Sequence, residues 1–284
     1  MISSNIQWFP GHMTKAKRQM EENLKKVDFI IEIRDARMPE SSKNPMIDDI
    51  IQNKPRLIIL SKKDKADPQA TKQWIQYLTN ENEEVLALDL IKENYKNKLI
   101  EASQKLCTNL IEKQKRRGIR PRALRGMVCG IPNVGKSTFI NTISRKKMAQ
   151  TGDRPGVTKA LQWIKLGKEL ELLDTPGVLW PKFEDQKVGF NLALLGSIKD
   201  DIVSMDDLAM YGCEYLMQHK PDVLEKVYDI QIQEKPYDTL CEIAKKRGFL
   251  QKGEIDINRL MKTFVREVRD NKLGPITWEL PDAE

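Results

Sequence analysis

The spacing of apolar residues changes character along the chain. Phe29–Ile33, Pro55–Leu60, Val85–Leu88 and Leu124–Cys129 are short apolar runs, the first three rich in branched residues. Such runs predict buried strands. Between them apolar residues recur at helical spacing. The pattern predicts a helix behind a Thr14 cap to about Lys26, others over about 43–53 and 69–78, and one long helix from Tyr95 to Lys115. Leu161–Leu166 and Glu169–Leu173 flank Gly167-Lys168, which reads as a hairpin. Residues 145–160 are polar, hold Gly152, Pro155 and Gly156, and read as a loop. Beyond Pro181 the strand-like runs stop. Residues 187–198, 205–218, 221–228, 236–247 and 256–271 all read as helices. The expectation is an α/β domain over 1–181, with a mostly parallel sheet and helices on both faces, followed by an all-helical domain over 182–284.

One stretch of the first domain carries recognisable chemistry. Gly130–Ser137 reads G-I-P-N-V-G-K-S, between a predicted strand and a helix that runs through Thr138 to Ser144. This is the context of a phosphate-binding loop, whose backbone N–H groups converge on an anion. Gly130 and Gly135 let the chain curl close to phosphates. Lys136 is placed to reach the β- and γ-phosphates, and Ser137 to hold Mg²⁺. Asn133, Val134 and Thr138 complete the predicted nucleotide-binding set. Asp174-Thr-Pro-Gly177 follows the hairpin at a strand end. There an Asp serves Mg²⁺ and the Gly N–H senses the γ-phosphate. Thr158, in the preceding loop, is the candidate for a switch threonine that closes on Mg²⁺.

Ser61-Lys-Lys-Asp64 also follows a strand and is similar to an N-K-x-D guanine motif. The Asp64 carboxylate can accept from the two donors of guanine, which adenine lacks. The Lys62 stem can pack on the base, and Ser61 stands where Asn is usual. Ala87 and Asp89 are approximate candidates for a further guanine loop. This motif precedes the phosphate loop by about seventy residues, the reverse of the order in Ras-like GTPases.

Composition narrows the partners. Residues 1–181 hold 33 Lys and Arg against 21 Asp and Glu; residues 182–284 hold 15 against 20. The basic excess of the first part points to a polyanion, nucleic acid first, with ordinary solubility charge as the alternative. It is densest over Lys113–Arg125, which reads as a nucleic-acid patch or a solvated linker. Four scattered cysteines without a C-x-x-C pair indicate neither zinc nor disulfides. With no membrane-spanning run and no signal-peptide core, a cytoplasmic setting is expected.

The motif order resembles the circularly permuted GTPases. Trp8-Phe-Pro-Gly-His-Met13, Asp35-Ala-Arg37, Asn133, Thr151–Gly156 and Asp174–Lys182 resemble the ribosome biogenesis GTPase A (YlqF) family more narrowly. The resemblance implies a circularly permuted Ras-like P-loop GTPase domain followed by a helical RNA-binding domain. It implies GTP and GDP as ligands with Mg²⁺, and K⁺ beside Asn133. It also implies work on late assembly of the bacterial large ribosomal subunit, with ribosomal RNA contacted and no DNA or membrane partner. Val178 and Leu179 stand where Ras-type enzymes carry a water-orienting Gln. In the resembling family the histidine matching His12 is the proposed water-positioning residue. Lys262, Arg266 and Arg269 are candidates for RNA contact on the last helices. An RNA-binding scaffold with GTP as a structural ligand, and a tRNA-modification GTPase, are the alternatives.

Overall fold

The computed structural model describes residues 12–51, 54–119, 122–144, 161–177, 179, 183, 185–200 and 202–281. Six strands form one sheet in the order β3-β2-β1-β4-β6-β5. They are β1 (Phe29–Asp35), β2 (Arg56–Ser61), β3 (Glu83–Ala87), β4 (Leu124–Cys129), β5 (Gln162–Leu166) and β6 (Leu170–Asp174). All neighbouring pairs are parallel except the β5–β6 hairpin. β1 is buried along its whole length, which suits a central strand covered on both faces.

Helices α1 (His12–Leu24), α2 (Pro45–Ile51), α3 (Pro68–Leu78), α4 (Lys96–Leu106), α5 (Thr108–Arg116) and α6 (Lys136–Ser144) complete this part. Asp67 caps α3 by accepting from the N–H groups of Gln69 and Ala70, with Pro68 pre-set for the first turn. Trp74 and Leu78 of α3 then pack on Ile58, Leu60 and Val85. α6 buries Phe139, Ile140 and Ile143, and Phe139 stacks on Tyr95 with ring centroids 5.8 Å apart.

A second part holds α7 (Gln186–Leu194), α8 (Met205–His219), α9 (Pro221–Tyr228), α10 (Pro236–Arg247) and α11 (Ile257–Arg269). α11 buries Leu260, Phe264 and Val268 along one stripe. The described residues divide into two compact units. One takes those from His12 to Leu179 together with Glu279–Pro281, the other those from Phe183 to Trp278.

Several expectations need correction. α1 opens at His12 rather than behind a Thr14 cap. The long helix is two, broken at Cys107, whose ψ of 17° leaves the helical range. α7 stops at Leu194 because Gly196 turns left-handed at φ 73°. The second part is not all-helical. A short antiparallel ribbon, β7 (Leu250–Gln251) with β8 (Glu254–Ile255), is turned by Lys252 and Gly253 at φ 53° and 87°. Finally, the last described residues belong with the sheet rather than with the helices.

Candidate functional site

Parallel strands deliver their C-terminal loops to one end of a sheet, where ligands of such folds bind. Here the loops after β2, β1, β4 and β6 emerge side by side. The loop after β4 is the predicted phosphate loop. Gly130 has φ 146°, and a Cβ on it would lie 2.5 Å from the Ile33 carbonyl oxygen. No other residue fits there. Asn133 has φ 61°, a left-handed value that Asn tolerates better than most residues. Gly135 has φ 100°, and its missing Cβ would meet Leu90 at 3.1 Å.

Lys136 opens α6 and is buried. Its Nζ donates to the carbonyls of Gly130 and Ile131 at 3.0 and 3.1 Å, so the loop wraps around its amine. Burial lowers its pKa to about 8, with attraction to Asp174 acting the other way. Burial likewise pushes Asp174 up to about 6 against the pull of Lys136. One Asp174 oxygen, Oδ1, is buried with no hydrogen-bond partner. Such an orphan is costly unless a cation or water meets it. Next to it the Thr175 hydroxyl donates to the Val128 carbonyl at 2.7 Å, tying the end of β6 to β4. A Cβ on Gly177 would come within 2.7 Å of Lys136 Nζ, so this glycine lies directly against the lysine head. Ser137 and Thr138 follow, both half-exposed. A glycine loop wound around a lysine amine, at the start of a helix and beside an orphaned carboxylate oxygen, fits a phosphate chain with a divalent cation.

The guanine motif sits beside it. Ser61 is fully buried, and its Oγ lies 2.9 Å from the Arg34 carbonyl oxygen and 2.6 Å from that of Val134. Lys62 is left-handed, at φ 54° and ψ 35°. Its Nζ donates to Asp35 Oδ2 at 2.8 Å and to the Asn133 carbonyl at 2.9 Å. Burial lowers the Lys62 pKa, and the Asp35 charge opposes that shift. Asp64 is exposed in a single 3-10 turn, its carboxylate open to a ligand. The loop after β3 comes alongside: Leu88 donates its N–H to Leu60, and the Thr142 hydroxyl of α6 donates to the Leu90 carbonyl. Asp89 shapes this loop by accepting from the N–H groups of Ile91 and Lys92, while Ala87 ends β3.

Two functional residues carry more weight than the sequence assigned them. Asp35 is fully buried at the end of β1. Arg37 returns both its Nε and its Nη2 to this carboxylate, at 3.0 and 2.8 Å. Burial raises the Asp35 pKa, but Arg37 and Lys62 outweigh it and hold the carboxyl well below its usual range. Asp35 thus fixes Lys62, and Lys62 reaches the phosphate loop. The available signal was charge inside a buried run, since buried charges must be paired.

The structure brings Ser61, Lys62, Asp64, Asn133, Val134, Gly135, Lys136, Ser137, Thr138, Asp174 and Gly177 to one end of the sheet. Thr158, Val178, Trp180 and the side chain of His12 lie outside the described residues. Arg269 is a correction. Its guanidinium is held at 2.7 Å by Asp200 and donates to the carbonyls of Ala193 and Leu194, which spends it inside the helical unit. Arg259, Lys262 and Arg266 stay exposed on α11.

A family model described as a 50S ribosome-binding GTPase matches residues 125–243. A protein of Bacillus licheniformis named ribosome biogenesis GTPase A is 49% identical over 279 residues, covering 98% of this chain and 99% of its own. A GDP-bound structure of YlqF superposes with a TM-score of 0.65 at 26% identity, over 94% of this chain and 100% of that one. The crystal structure of GNP-bound YlqF from T. maritima gives 0.63 at the same identity, over 95% and 100%.

Proposed function

The chain belongs to the ribosome biogenesis GTPase A family, and on that premise we propose that its GTP hydrolysis drives a late step in assembly of the large ribosomal subunit. In this reading the subunit stimulates turnover and ribosomal RNA is contacted directly, in the cytoplasm. The observation that carries the nucleotide part is the junction of the guanine loop with the phosphate loop at Ser61 and Val134. The description of the matching family as ribosome-binding and the basic excess of residues 1–181 support the ribosomal part.

The residues take separate roles. Asp64 accepts from the guanine edge, while Lys62, fixed by Asp35, covers the base. The backbone N–H groups of Val134–Thr138 and the Lys136 amine hold the phosphates. Ser137 and Asp174, with Thr158, are the side chains for Mg²⁺, and Asn133 for K⁺. The bound cations supply positive charge where negative charge develops on the phosphate oxygens. Gly177 donates its N–H toward the γ-phosphate. His12 positions the attacking water, a role that rests on the family resemblance, as Val178 and Leu179 offer no polar group. The exposed Arg259, Lys262 and Arg266 of α11, spaced three and four apart on one helix face, serve RNA.

Sedimentation with large subunits under GTP analogue, GDP and no nucleotide tests the reading, together with multiple-turnover phosphate release in KCl and in NaCl. Binding that favours the GTP analogue, and turnover raised by subunits and by KCl, are expected. No co-sedimentation in any nucleotide state would sink the ribosomal assignment.

A further inference from the structure

The sheet ends at β5, whose outer side has no strand neighbour among the described residues. The register puts Arg125, Glu171 and Lys165 in one row across β4, β6 and β5, and Trp163 beside Leu173 two residues further along, on the same face. Trp163 is 39% exposed, whereas Trp74 and Trp278 are 2% and 3%. The Arg125 guanidinium stands 5.3 Å from its ring centroid. Glu171 steadies this arrangement, binding Arg125 Nε at 2.9 Å and lying 3.9 Å from Lys165 Nζ. Lys165 and Lys168 are exposed, and the turn that carries Lys168 is joined to β4 by the bond from Leu124 N–H to the Glu169 carbonyl.

The chain enters β4, two strands in from this edge, from its most basic segment. Residues 113–125 hold seven Lys and Arg and no acidic residue. Lys113, Lys115, Arg116 and Arg117 are exposed, and Arg122 is held to Asp28 at 2.8 Å. Arg117 and Arg122 are separated by at most about 18 Å of chain.

We propose that Trp163, with Arg125, Lys165 and Lys168 around it, is an RNA-binding surface of the GTPase unit that stacks an unpaired base on the indole and holds the adjoining phosphates. It rests on the reading above that the partner is ribosomal RNA, and it assigns that contact to one edge of the sheet. An aromatic ring set among cations is the platform that single-stranded nucleic acid uses. A protein interface also favours Trp and Arg but is depleted of lysine, and two exposed lysines, Lys165 and Lys168, flank this ring. Lysine on an exposed edge strand also discourages pairing with another strand. Arg125 packs on the ring, and Glu171 holds its Nε in place.

The test uses the full chain with GTP analogue and two probes, large ribosomal subunits and a fluorescent single-stranded RNA of about ten nucleotides. Trp163→Ala should weaken RNA binding on the order of tenfold, and Trp163→Phe should recover most of it. The pair Lys165→Gln and Lys168→Gln should flatten the slope of log K against log salt by about 1.4. All should bind GTP as the wild type does, which reports a folded site. Trp163→Ala with wild-type RNA affinity overturns the surface while leaving the ribosomal function standing. So does a Trp163→Phe variant as weak as Trp163→Ala, since that removes stacking. Weaker subunit binding with unchanged oligonucleotide binding assigns the surface to a ribosomal protein and overturns it too. A wild type that binds neither probe overturns both this surface and the ribosomal function.

Discussion

The Ser61 hydroxyl lies 2.6 Å from the carbonyl oxygen of Val134, so the first residue of the guanine motif touches the phosphate loop directly. Serine in place of the usual asparagine therefore does not separate the two loops. It reaches Val134 and Arg34 from a fully buried position. Ser61→Ala should remove about 1 kcal/mol of stability, the usual worth of one such hydrogen bond. It should also weaken GTP and GDP about equally, by several-fold, since it loosens the base side of the site. Nucleotide titrations of the variant check this; a loss confined to GTP would contradict it.

In the proposed function base choice rests on Asp64, whose side chain is exposed. Asp64→Asn exchanges an acceptor pair for one acceptor and one donor. Affinity should move from guanine toward xanthine nucleotides, with no change in thermal stability, because Asp64 is exposed. Competition binding with GTP, XTP and ATP decides it. Wild-type affinity for ATP equal to that for GTP would refute the assignment of Asp64.

Much of this was legible in the residues, and the boundary has a physical cause. Strands such as Phe29–Asp35 and helices such as Pro221–Tyr228 are set by local periodicity, which a sequence displays. The phosphate loop is equally local, since its glycines and Lys136 sit within eight residues of one another. The partners of buried charges are not local. Glu32 meets Arg56, 24 residues on, and Asp35 meets Lys62, 27 residues on. Arg269 looked like an RNA ligand at the end of a basic helix, yet its partner Asp200 is 69 residues away. The tail at Glu279 has no periodic pattern at all and is placed by contacts 238 residues distant.

That tail makes folding stability depend on pH. The Glu279 carboxylate accepts from the N–H groups of Glu40 and Ser41 and from the Ser41 hydroxyl, and its own carbonyl accepts from the Trp74 indole. Burial pushes the carboxyl up to about 7, and the Glu40 charge adds to this; the bonds from Ser41 and Glu40 oppose it. A raised carboxyl pKa means the folded state favours the proton. The contribution is full below the ordinary value of 4.5 and is lost as pH rises through about 7. The Tm should therefore fall by a few °C between about pH 5.5 and 8. Glu279→Gln, which cannot ionise, should flatten that decline. An equal slope in both proteins would remove Glu279 as its source.

On the roles proposed above, a substitution at Gly177 should separate binding from turnover. A Cβ there would stand 2.7 Å from Lys136 Nζ and 3.3 and 3.4 Å from Pro132 backbone atoms. The closest neighbour is the head of a flexible side chain, so Gly177→Ala should fold. The cost falls on Lys136, whose amine must leave its seat against the Gly130 and Ile131 carbonyls. That amine is the group proposed to meet the β- and γ-phosphates, and the methyl group lies where the γ-phosphate is sensed. GDP lacks that phosphate. Gly177→Ala should thus lower GTP turnover by more than about tenfold, as expected when a charge-stabilising group is misplaced. GDP affinity should fall less, since only its β-phosphate meets that amine, and Tm should stay within a few °C. Single-turnover phosphate release beside GDP titration measures the two. Equal losses in both would mean that Gly177 shapes the whole phosphate loop rather than its γ-phosphate end.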